Sequence, residues 1–230
     1  QVFLGRTAGG NPALAYLVTG RSPESRDRSA LRVENTVRIG PTGDVPYDAL
    51  RHYTAVKYDD RSGVTAVSNG IQTEAIFEAY RLLFNTGGFP NKQYVETLLE
   101  GAGAEPDSYH TPRIAGVVTY VGDTGPVLII GIKGNGLAAR ATLVEPKPGT
   151  MVGVSVYQGP MDGPLATEPN ATLPIIEFPG NTAKTLAKHI YDMSSATYKG
   201  DDIRVCAVSG IYDRKNHRWD FALINRHQQK

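Results

Sequence analysis

Short runs of β-branched and aromatic residues, bounded by Gly, Pro, Asn or Asp, recur along most of this chain. Runs of this kind predict β-strands joined by turns. Two of them, at 113–122 and 126–135, are separated by Gly122-Asp-Thr-Gly125, which has the composition of a hairpin turn. Two more, at 203–213 and 218–226, close the chain. The first seventy residues hold five such runs: QVFLGRT, ALAYLVTGRS, LRVENTVRIGP, HYTAVKYDD and GVTAVSNG. The fold must therefore be built on sheets.

Three segments have the periodicity of helices instead. The first is predicted to begin at Thr73, whose hydroxyl can cap it, and the second to run from about Asn91 to Glu100. The third follows Asn181, which is also a capping residue type. The apolar residues expected to face inward are Ala75, Ile76, Ala79, Tyr80, Leu82 and Leu83 in the first helix, Tyr94, Val95, Leu98 and Leu99 in the second, and Ala183, Leu186, Ala187, Ile190 and Met193 in the third.

Residues 137–180 are the least regular part of the sequence. Runs at 139–149 and 151–159 predict two further strands, but 159–180 contains five prolines and predicts an irregular excursion. Such a segment fits either a lid or a long surface loop.

The order of these elements predicts the fold class. Many antiparallel strands, two helices inserted together and one helix near the end indicate an α+β protein. No repeat, linker or charge block divides the chain, so we expect one domain over residues 1–230. Stacking two sheets with the helices outside them would bury every apolar face.

Composition narrows the possible partners. The 24 basic and 23 acidic side chains give a net charge of +1, which creates no long-range field to attract nucleic acid or an anionic membrane. We therefore expect a small-molecule ligand, and an anionic one must be bound by a local cluster. No apolar run approaches the ~18 residues that span a bilayer, and the start lacks a signal pattern. The single cysteine, Cys206, lies in an apolar run, which favours a core position and a reducing cytoplasm.

Common cofactor and metal motifs are missing from the sequence. The segment GIKGNGLAAR has the wrong spacing for a phosphate-binding loop, and its Gly134-Asn-Gly136 lacks the third glycine of a dinucleotide-binding turn. The five histidines form no pair at metal-ligand spacing, and no Gly-x-Ser-x-Gly turn occurs. We therefore expect chemistry that needs neither a cofactor nor a metal.

Four clusters carry polar groups suited to binding or catalysis, and each has a plainer interpretation. The turn at 20–28 bears three arginines that can bind a phosphate, or can pair with Glu24 and Asp27 on a solvated loop. Tyr53 starts a strand, where most tyrosines are core or edge residues. Ser68-Asn-Gly70 precedes the first helix and can serve only as a turn. The fourth cluster is SYHTPRIAGV at 108–117, together with Glu105 before it.

Taken together, these clusters resemble the archaeal-type inosine monophosphate (IMP) cyclohydrolase family. The resemblance covers about the first 120 residues and rests on the order and spacing of FLGRT, RSPESR, HYTAV, AVSNG and TPRIAG. It implies a four-layer αββα fold of two antiparallel sheets, like that of the N-terminal-nucleophile hydrolases but without their terminal nucleophile. It also implies the closure of 5-formamidoimidazole-4-carboxamide ribonucleotide (FAICAR) to IMP with loss of water.

The resemblance also implies roles for individual residues. Tyr53 and Glu105 look like the proton-handling side chains, and Arg113 either polarises the formyl oxygen or fixes Glu105. An arginine nearby would favour ionised Glu105, whereas burial would favour its acid form. The residues assigned to substrate binding are Arg21, Ser22 and Arg26 at the phosphate and ribose, Asn69 at the carboxamide, and Gly70 and Thr111 beside them.

The sequence departs from the family pattern at three positions. Ala55 and Lys57 stand where the family tends to carry a cysteine and an arginine, and His110 replaces an asparagine. A second possibility stays open, namely a regulatory protein that keeps a purine-nucleotide pocket without turnover. A homo-oligomer is expected for a sheet-rich enzyme of this size.

Overall fold

The structure, a computed structural model, describes residues 1–121 and 125–228. These residues form two large antiparallel sheets, two small two-stranded sheets and a few helices, which confirms the α+β prediction. The predicted hairpin turn at 122–125 lies largely outside the described residues. The two strands beside it pair antiparallel, as that prediction requires. No helix in the described ranges is long and apolar enough to cross a membrane.

The first sheet has six strands drawn from both ends of the chain. Strands are numbered along the sequence, and the spatial order in this sheet is β13-β10-β1-β2-β16-β17. β2 pairs with β16, so strands from the beginning and the end of the chain are neighbours in this sheet. Its strands are β1 (Val2–Arg6), β2 (Pro12–Thr19), β10 (Thr150–Val154), β13 (Ile175–Glu177), β16 (Arg204–Asp213) and β17 (Arg218–Asn225).

The second sheet has seven strands in sequential order, each paired with the next. Sequential antiparallel pairing can use short connections. The longer ones here are residues 42–52 between β4 and β5, and the segment between β6 and β7, where two helices are inserted. Its strands are β3 (Arg28–Val33), β4 (Thr36–Pro41), β5 (Tyr53–Tyr58), β6 (Thr65–Ser68), β7 (Arg113–Tyr120), β8 (Pro126–Lys133) and β9 (Arg140–Val144).

Helices and two small hairpins complete the described chain. The helices are α1 (Pro23–Arg26), α2 (Gln72–Thr86), α3 (Lys92–Ala102) and α4 (Ala183–Met193), followed by a 3₁₀ turn at Arg226–Gln228. The hairpins pair β11 (Tyr157–Gln158) with β12 (Leu165–Ala166), and β14 (Thr197–Tyr198) with β15 (Asp201–Asp202).

Three apolar clusters hold these elements together. The largest lies between the sheets and includes the fully buried Trp219 and the nearly buried Tyr16. On the other face of the first sheet, α4 packs through Leu186 and Ile190. On the other face of the second sheet, α2 and α3 pack through residues such as Phe77. The helices therefore pack against sheet faces opposite to the inter-sheet cluster.

Gly116 in β7 lets the two sheets approach each other closely. A methyl group at this position would lie 2.8 Å from Val2 Cγ1, 3.0 Å from Val67 Cγ1 and 3.2 Å from Leu4 Cδ1. Val2 and Leu4 belong to β1 in the opposite sheet. The continuous apolar run of β7 predicts a buried strand, but only the packing explains why this position has no side chain.

Several sequence predictions about element boundaries were wrong. The run LRVENTVRIGP forms two strands rather than one, because Glu34 adopts a positive φ of 51° and starts a hairpin. The first helix begins at Gln72 and not at Thr73. Thr73 is buried, and its hydroxyl bonds the Ser68 hydroxyl and the Gly70 carbonyl instead of capping the helix.

The third predicted helix, α4, is capped by Thr182 and not by Asn181, since the Thr182 hydroxyl accepts a hydrogen bond of 3.2 Å from the Thr185 amide. The second helix begins as predicted, with Asn91 as its cap. Four residues predicted to face inward are exposed, because helical spacing alone cannot fix the limits of a buried stripe. These residues are Ala75, Leu82, Tyr94 and Met193.

The close approach at Gly116 predicts the effect of a single methyl group. Gly116→Ala should lower the free energy of unfolding by about 1–3 kcal/mol, since the added atom overpacks the inter-sheet core. Gly40→Ala is the matched control, because Gly40 also lies in a strand but has open space at its Cβ position. Its effect should stay within about 0.5 kcal/mol. Urea unfolding measures both, and equal effects would contradict the packing account.

Candidate active site

One cavity of about 1070 Å³ gathers residues from distant parts of the chain. The end of β2, the turn around α1, the start of β5 and the loop before β7 meet there. The β14–β15 hairpin also reaches it. Seven of the nine predicted site residues line the cavity: Arg21, Ser22, Arg26, Tyr53, Asn69, Glu105 and Thr111. Gly70 and Arg113 do not line the cavity, although Arg113 lies 3.8 Å from Glu105, which does.

Glu105 is the central acidic group of this cavity. Its side chain is buried, with 7% of the residue exposed. Glu105 Oε1 accepts a hydrogen bond of 3.0 Å from Asn69 Nδ2 and lies 3.8 Å from Arg113 Nη1. Burial raises the pKa of Glu105 from 4.5 to about 7, and the opposing charge of Arg113 only partly offsets that shift. Burial therefore outweighs the charge of Arg113 in setting the pKa of Glu105.

Asn69 uses all of its hydrogen-bonding capacity within the protein, and one of its bonds holds Glu105. Its amide donates to Glu105 and to the Pro112 carbonyl, and its oxygen accepts from Gln72 Nε2 and the Ile114 amide. An asparagine side chain has two donors and two acceptor positions, so all four are engaged within the protein. In this state Asn69 fixes the carboxyl group.

Arg113 is the first residue of β7, as the sequence predicted, and it is 4% exposed. Nη1 donates to Gln72 Oε1 at 3.2 Å, whereas the buried Nε has no partner among the described residues. Burial lowers the pKa of Arg113. A side chain at Gly70 would overlap Arg113 Nη1, so the glycine makes room for the guanidinium. Of its two predicted roles, this geometry favours fixing Glu105.

Tyr53 stands at the start of β5, half-buried against the cavity. Its hydroxyl lies 2.7 Å from the hydroxyl of Tyr16, which comes from β2 in the other sheet. Burial raises the pKa of Tyr53, while the charge of Arg28 acts in the opposite direction. The phenol is therefore protonated at neutral pH and can donate a proton.

The three predicted residues of the arginine-rich turn make different contacts. Arg21 Nη1 donates to the Met161 carbonyl at 2.9 Å, and its guanidinium lies 5.4 Å from the centre of the Tyr109 ring. Arg26 is paired with Asp201 at 2.7 Å rather than with Glu24 or Asp27. The Ser22 hydroxyl accepts from the Ser25 amide at 3.2 Å and caps α1.

Two further segments shape the wall. Thr111 closes the loop that carries Glu105, because its amide and hydroxyl bond the Asp107 carboxylate and its hydroxyl also meets Tyr157. Part of the proline-rich excursion lines the cavity through Gly159, Met161 and Pro164. That excursion is therefore part of the site rather than only a surface loop.

Sequence reasoning missed several residues of the cavity. Arg28 was visible in the arginine-rich turn, but its burial could not be seen from a charge pattern. Tyr109 lies in the 108–117 cluster but was given no role, whereas the other tyrosines lie in runs that predict an ordinary strand or loop. The missed residues are Tyr16, Arg28, Asp107, Tyr109, Tyr157 and Tyr198.

A cavity of this size with a buried carboxyl group of raised pKa is typical of enzymes acting on small molecules. A sequence profile described as "IMP cyclohydrolase-like protein" matches residues 1–216. The chain belongs to the IMP cyclohydrolase-like family, which confirms the resemblance seen in its motifs.

Two curated proteins named IMP cyclohydrolase are similar to this chain. The protein from Haloarcula marismortui is 32% identical over 120 residues, which is 51% of this chain and 55% of the relative. The protein from Natronomonas pharaonis is 31% identical over 147 residues, covering 58% of this chain and 70% of the relative. The chain thus spans about half the length of the first relative.

The raised pKa of Glu105 predicts a pH-dependent stability. Unfolded Glu105 loses its proton near pH 4.5 and the folded residue near pH 7. The contribution of Glu105 to the free energy of unfolding is therefore largest below pH 4.5. It is lost as the pH rises through 7, and the total change is about 3 kcal/mol. The free energy of unfolding of Glu105→Gln, relative to that of wild type, should therefore rise by about 3 kcal/mol between pH 4 and pH 8, as measured by denaturant unfolding. A constant difference between the two proteins would contradict the raised pKa.

Proposed function

We propose that this chain is an IMP cyclohydrolase, which closes FAICAR to IMP with loss of water in purine biosynthesis. The observation that carries the proposal is the placement of Glu105, with a pKa near 7, beside the same cavity as the protonated Tyr53. Membership of the IMP cyclohydrolase-like family and the names of the two archaeal relatives support it.

The reaction asks for orientation and for the transfer of protons. FAICAR already carries both reacting groups, so the protein has to hold the formamide in the conformer that lets the carboxamide nitrogen reach the formyl carbon. Holding attached groups in a reactive geometry can supply several kcal/mol, and each positioned proton donor or acceptor about 10²–10⁴-fold in rate. Side chains alone can meet these demands, so the proposal includes no cofactor.

In the first step the carboxamide nitrogen attacks the formyl carbon. The Glu105 carboxylate takes a proton from that nitrogen, and Tyr53 gives its phenolic proton to the formyl oxygen. The product is a ring carbon bearing a hydroxyl, beside neutral Glu105 and a Tyr53 phenolate. A carboxyl group with a pKa near 7 is half ionised at neutral pH, so the base form is available.

In the second step the hydroxyl leaves as water. Neutral Glu105 returns its proton to the departing oxygen, and the Tyr53 phenolate takes the proton of the former formamide nitrogen. Two protons have then moved onto the oxygen, one from each nitrogen, and both side chains are back in their starting states. The scheme uses Glu105 first as a base and then as an acid, which suits its pKa.

The remaining predicted residues receive supporting roles. We propose that Arg21, Arg26 and Ser22 bind the 5′-phosphate and ribose, because they line the same cavity. Thr111 shapes the loop next to the substrate. Asn69 and Arg113 fix the Glu105 carboxyl group, and Gly70 leaves room for Arg113. The pairing of Asn69 with the substrate carboxamide stays a prediction, since it needs one of the present bonds to open.

We also propose that the fold is the four-layer αββα type of the N-terminal-nucleophile hydrolases. The two facing sheets, with α4 on one outer face and α2 and α3 on the other, support this assignment. A homo-oligomer remains part of the proposal and is tested by the mass of the protein in solution.

The proposed mechanism predicts a pH profile for ring closure. With FAICAR as substrate and a chelator present, kcat/KM should rise with pH through about 7 as Glu105 ionises, then level off. Glu105→Gln should lose this limb and fall by about 10²–10⁴-fold, and Tyr53→Phe should fall by a similar factor. The absorbance change of ring closure gives the rates.

Two surface variants control for indirect effects. Glu145→Gln and Tyr94→Phe make the same chemical changes at exposed positions and should keep the wild-type rate and profile. Unchanged rates in Glu105→Gln and Tyr53→Phe would show that the roles are wrong. Binding of IMP by calorimetry without any ring closure would instead favour the regulatory alternative.

Arg21 offers a separate test of substrate orientation. Charge-assisted hydrogen bonds to phosphate are worth about 1.5–3 kcal/mol, so Arg21→Met should weaken IMP binding by about 10- to 100-fold. Inosine, which lacks the phosphate, should bind wild type and variant equally. Calorimetry measures all four affinities. An equal loss of affinity for IMP and inosine would show that Arg21 does not bind the phosphate.

A further inference from the structure

A hydrogen bond between two tyrosines joins the sheets at the cavity. Tyr16 comes from β2 in the six-stranded sheet, and Tyr53 begins β5 in the seven-stranded sheet. Their hydroxyl oxygens are 2.7 Å apart. Tyr16 is only 2% exposed, whereas Tyr53 is half-buried and has the better access to the cavity. Tyr16 has no role in the ring-closure mechanism proposed above.

Burial decides the direction of this hydrogen bond. Within residues 1–121 and 125–228, the Tyr16 hydroxyl has no hydrogen-bond partner other than Tyr53. If Tyr53 were the donor, the Tyr16 proton would be buried without an acceptor, at a cost of about 1–3 kcal/mol. With Tyr16 as the donor, both oxygens are satisfied, and the Tyr53 proton is left to point toward the cavity.

Arg28 places a buried positive charge near this pair and near Glu105. It is the first residue of β3, 7% exposed, and it lines the cavity. Its Nε donates to the Ser25 carbonyl at 2.8 Å. No carboxylate of the described residues lies within 4.0 Å of its guanidinium, in contrast to Arg26 with Asp201. A buried cation without an acidic partner favours negative charge nearby.

We propose that Tyr16 and Arg28 are positioning residues that make the Tyr53 phenol a directed proton donor. Tyr16 donates to the Tyr53 oxygen and aims the Tyr53 proton at the substrate. When Tyr53 gives that proton to the formyl oxygen, its phenolate keeps the hydrogen bond from Tyr16 and gains the attraction of Arg28. The proton returns from the formamide nitrogen in the second step. This inference rests on the role of Tyr53 in the proposed function.

The titratable groups around Tyr53 agree with this arrangement. After burial, which raises the pKa of Tyr53, the charge of Arg28 and the hydrogen bond from Tyr16 both lower it. Glu105 from the loop before β7 and Cys206 from β16 raise it. For Tyr16, burial and then Tyr53 raise the pKa. The geometry, with Tyr16 buried and Tyr53 open to the cavity, keeps Tyr16 as the donor.

The direct test measures the ionisation of residue 53 itself. Incorporating 3,5-difluorotyrosine at position 53 brings the phenol pKa into an accessible range, and ¹⁹F NMR follows its titration. In the Tyr16→Phe and Arg28→Met backgrounds, the pKa of this residue should rise by about one unit, a tenfold loss of phenolate stability. Arg28→Lys keeps the charge and should restore most of the shift.

The control for Arg28→Met is Arg38→Met, which removes an exposed arginine from β4 and should leave the titration unchanged. Tyr16→Phe keeps the buried ring, so the packing between the sheets is retained. Unchanged titration in both backgrounds overturns the proposal. A shift in Tyr16→Phe alone overturns the part played by Arg28, and a shift in Arg28→Met alone overturns the direction assigned to Tyr16.

Kinetics separate this inference from the proposed function. In a cyclising protein, Tyr16→Phe and Arg28→Met should each lower kcat by about tenfold and leave KM within about twofold, because neither side chain is assigned a contact with the substrate. A rise in KM with unchanged kcat would overturn it by making Arg28 a substrate-binding residue. A wild-type protein without ring closure would defeat the proposed function, while the fluorotyrosine titration would still decide the inference.

Discussion

The burial of the Glu105 carboxyl group beside Arg113 is the constraint on which the rest of the site depends. An ion pair in water would keep this carboxyl group ionised, with a low pKa. Here the separation of 3.8 Å and the loss of water leave the attraction weaker than the penalty for a buried charge. The carboxyl group therefore exchanges its proton near neutral pH, which a structural ion pair would not do.

The surrounding structure is organised to hold that balance. Asn69 directly follows β6, Arg113 begins β7, and these two strands pair side by side in the second sheet. Gln72, at the start of α2, bonds both of them. The first sheet contributes Tyr16 across the same cavity. A single layer of strands could not enclose these groups, so the two-sheet architecture and the chemistry depend on each other.

Much of the fold followed from the sequence because strands and turns have local signals. The placement of Arg113 at the start of a strand was predictable from the proline before it, which holds the preceding residue extended. The site was predictable only in part. Glu105, Tyr53 and the arginines of the turn stood out through their motifs, but Tyr16 looks like any buried aromatic in a strand. Its contact with Tyr53 crosses between sheets and has no trace in local periodicity.

The proposed mechanism requires one particular placement of the nucleotide in the cavity. A crystal structure with IMP bound would measure this directly. We expect the phosphate at Arg21 and Arg26, and the newly closed edge of the purine within hydrogen-bonding distance of Tyr53 and Glu105. A nucleotide bound with its phosphate at Glu105, or bound outside this cavity, would contradict it.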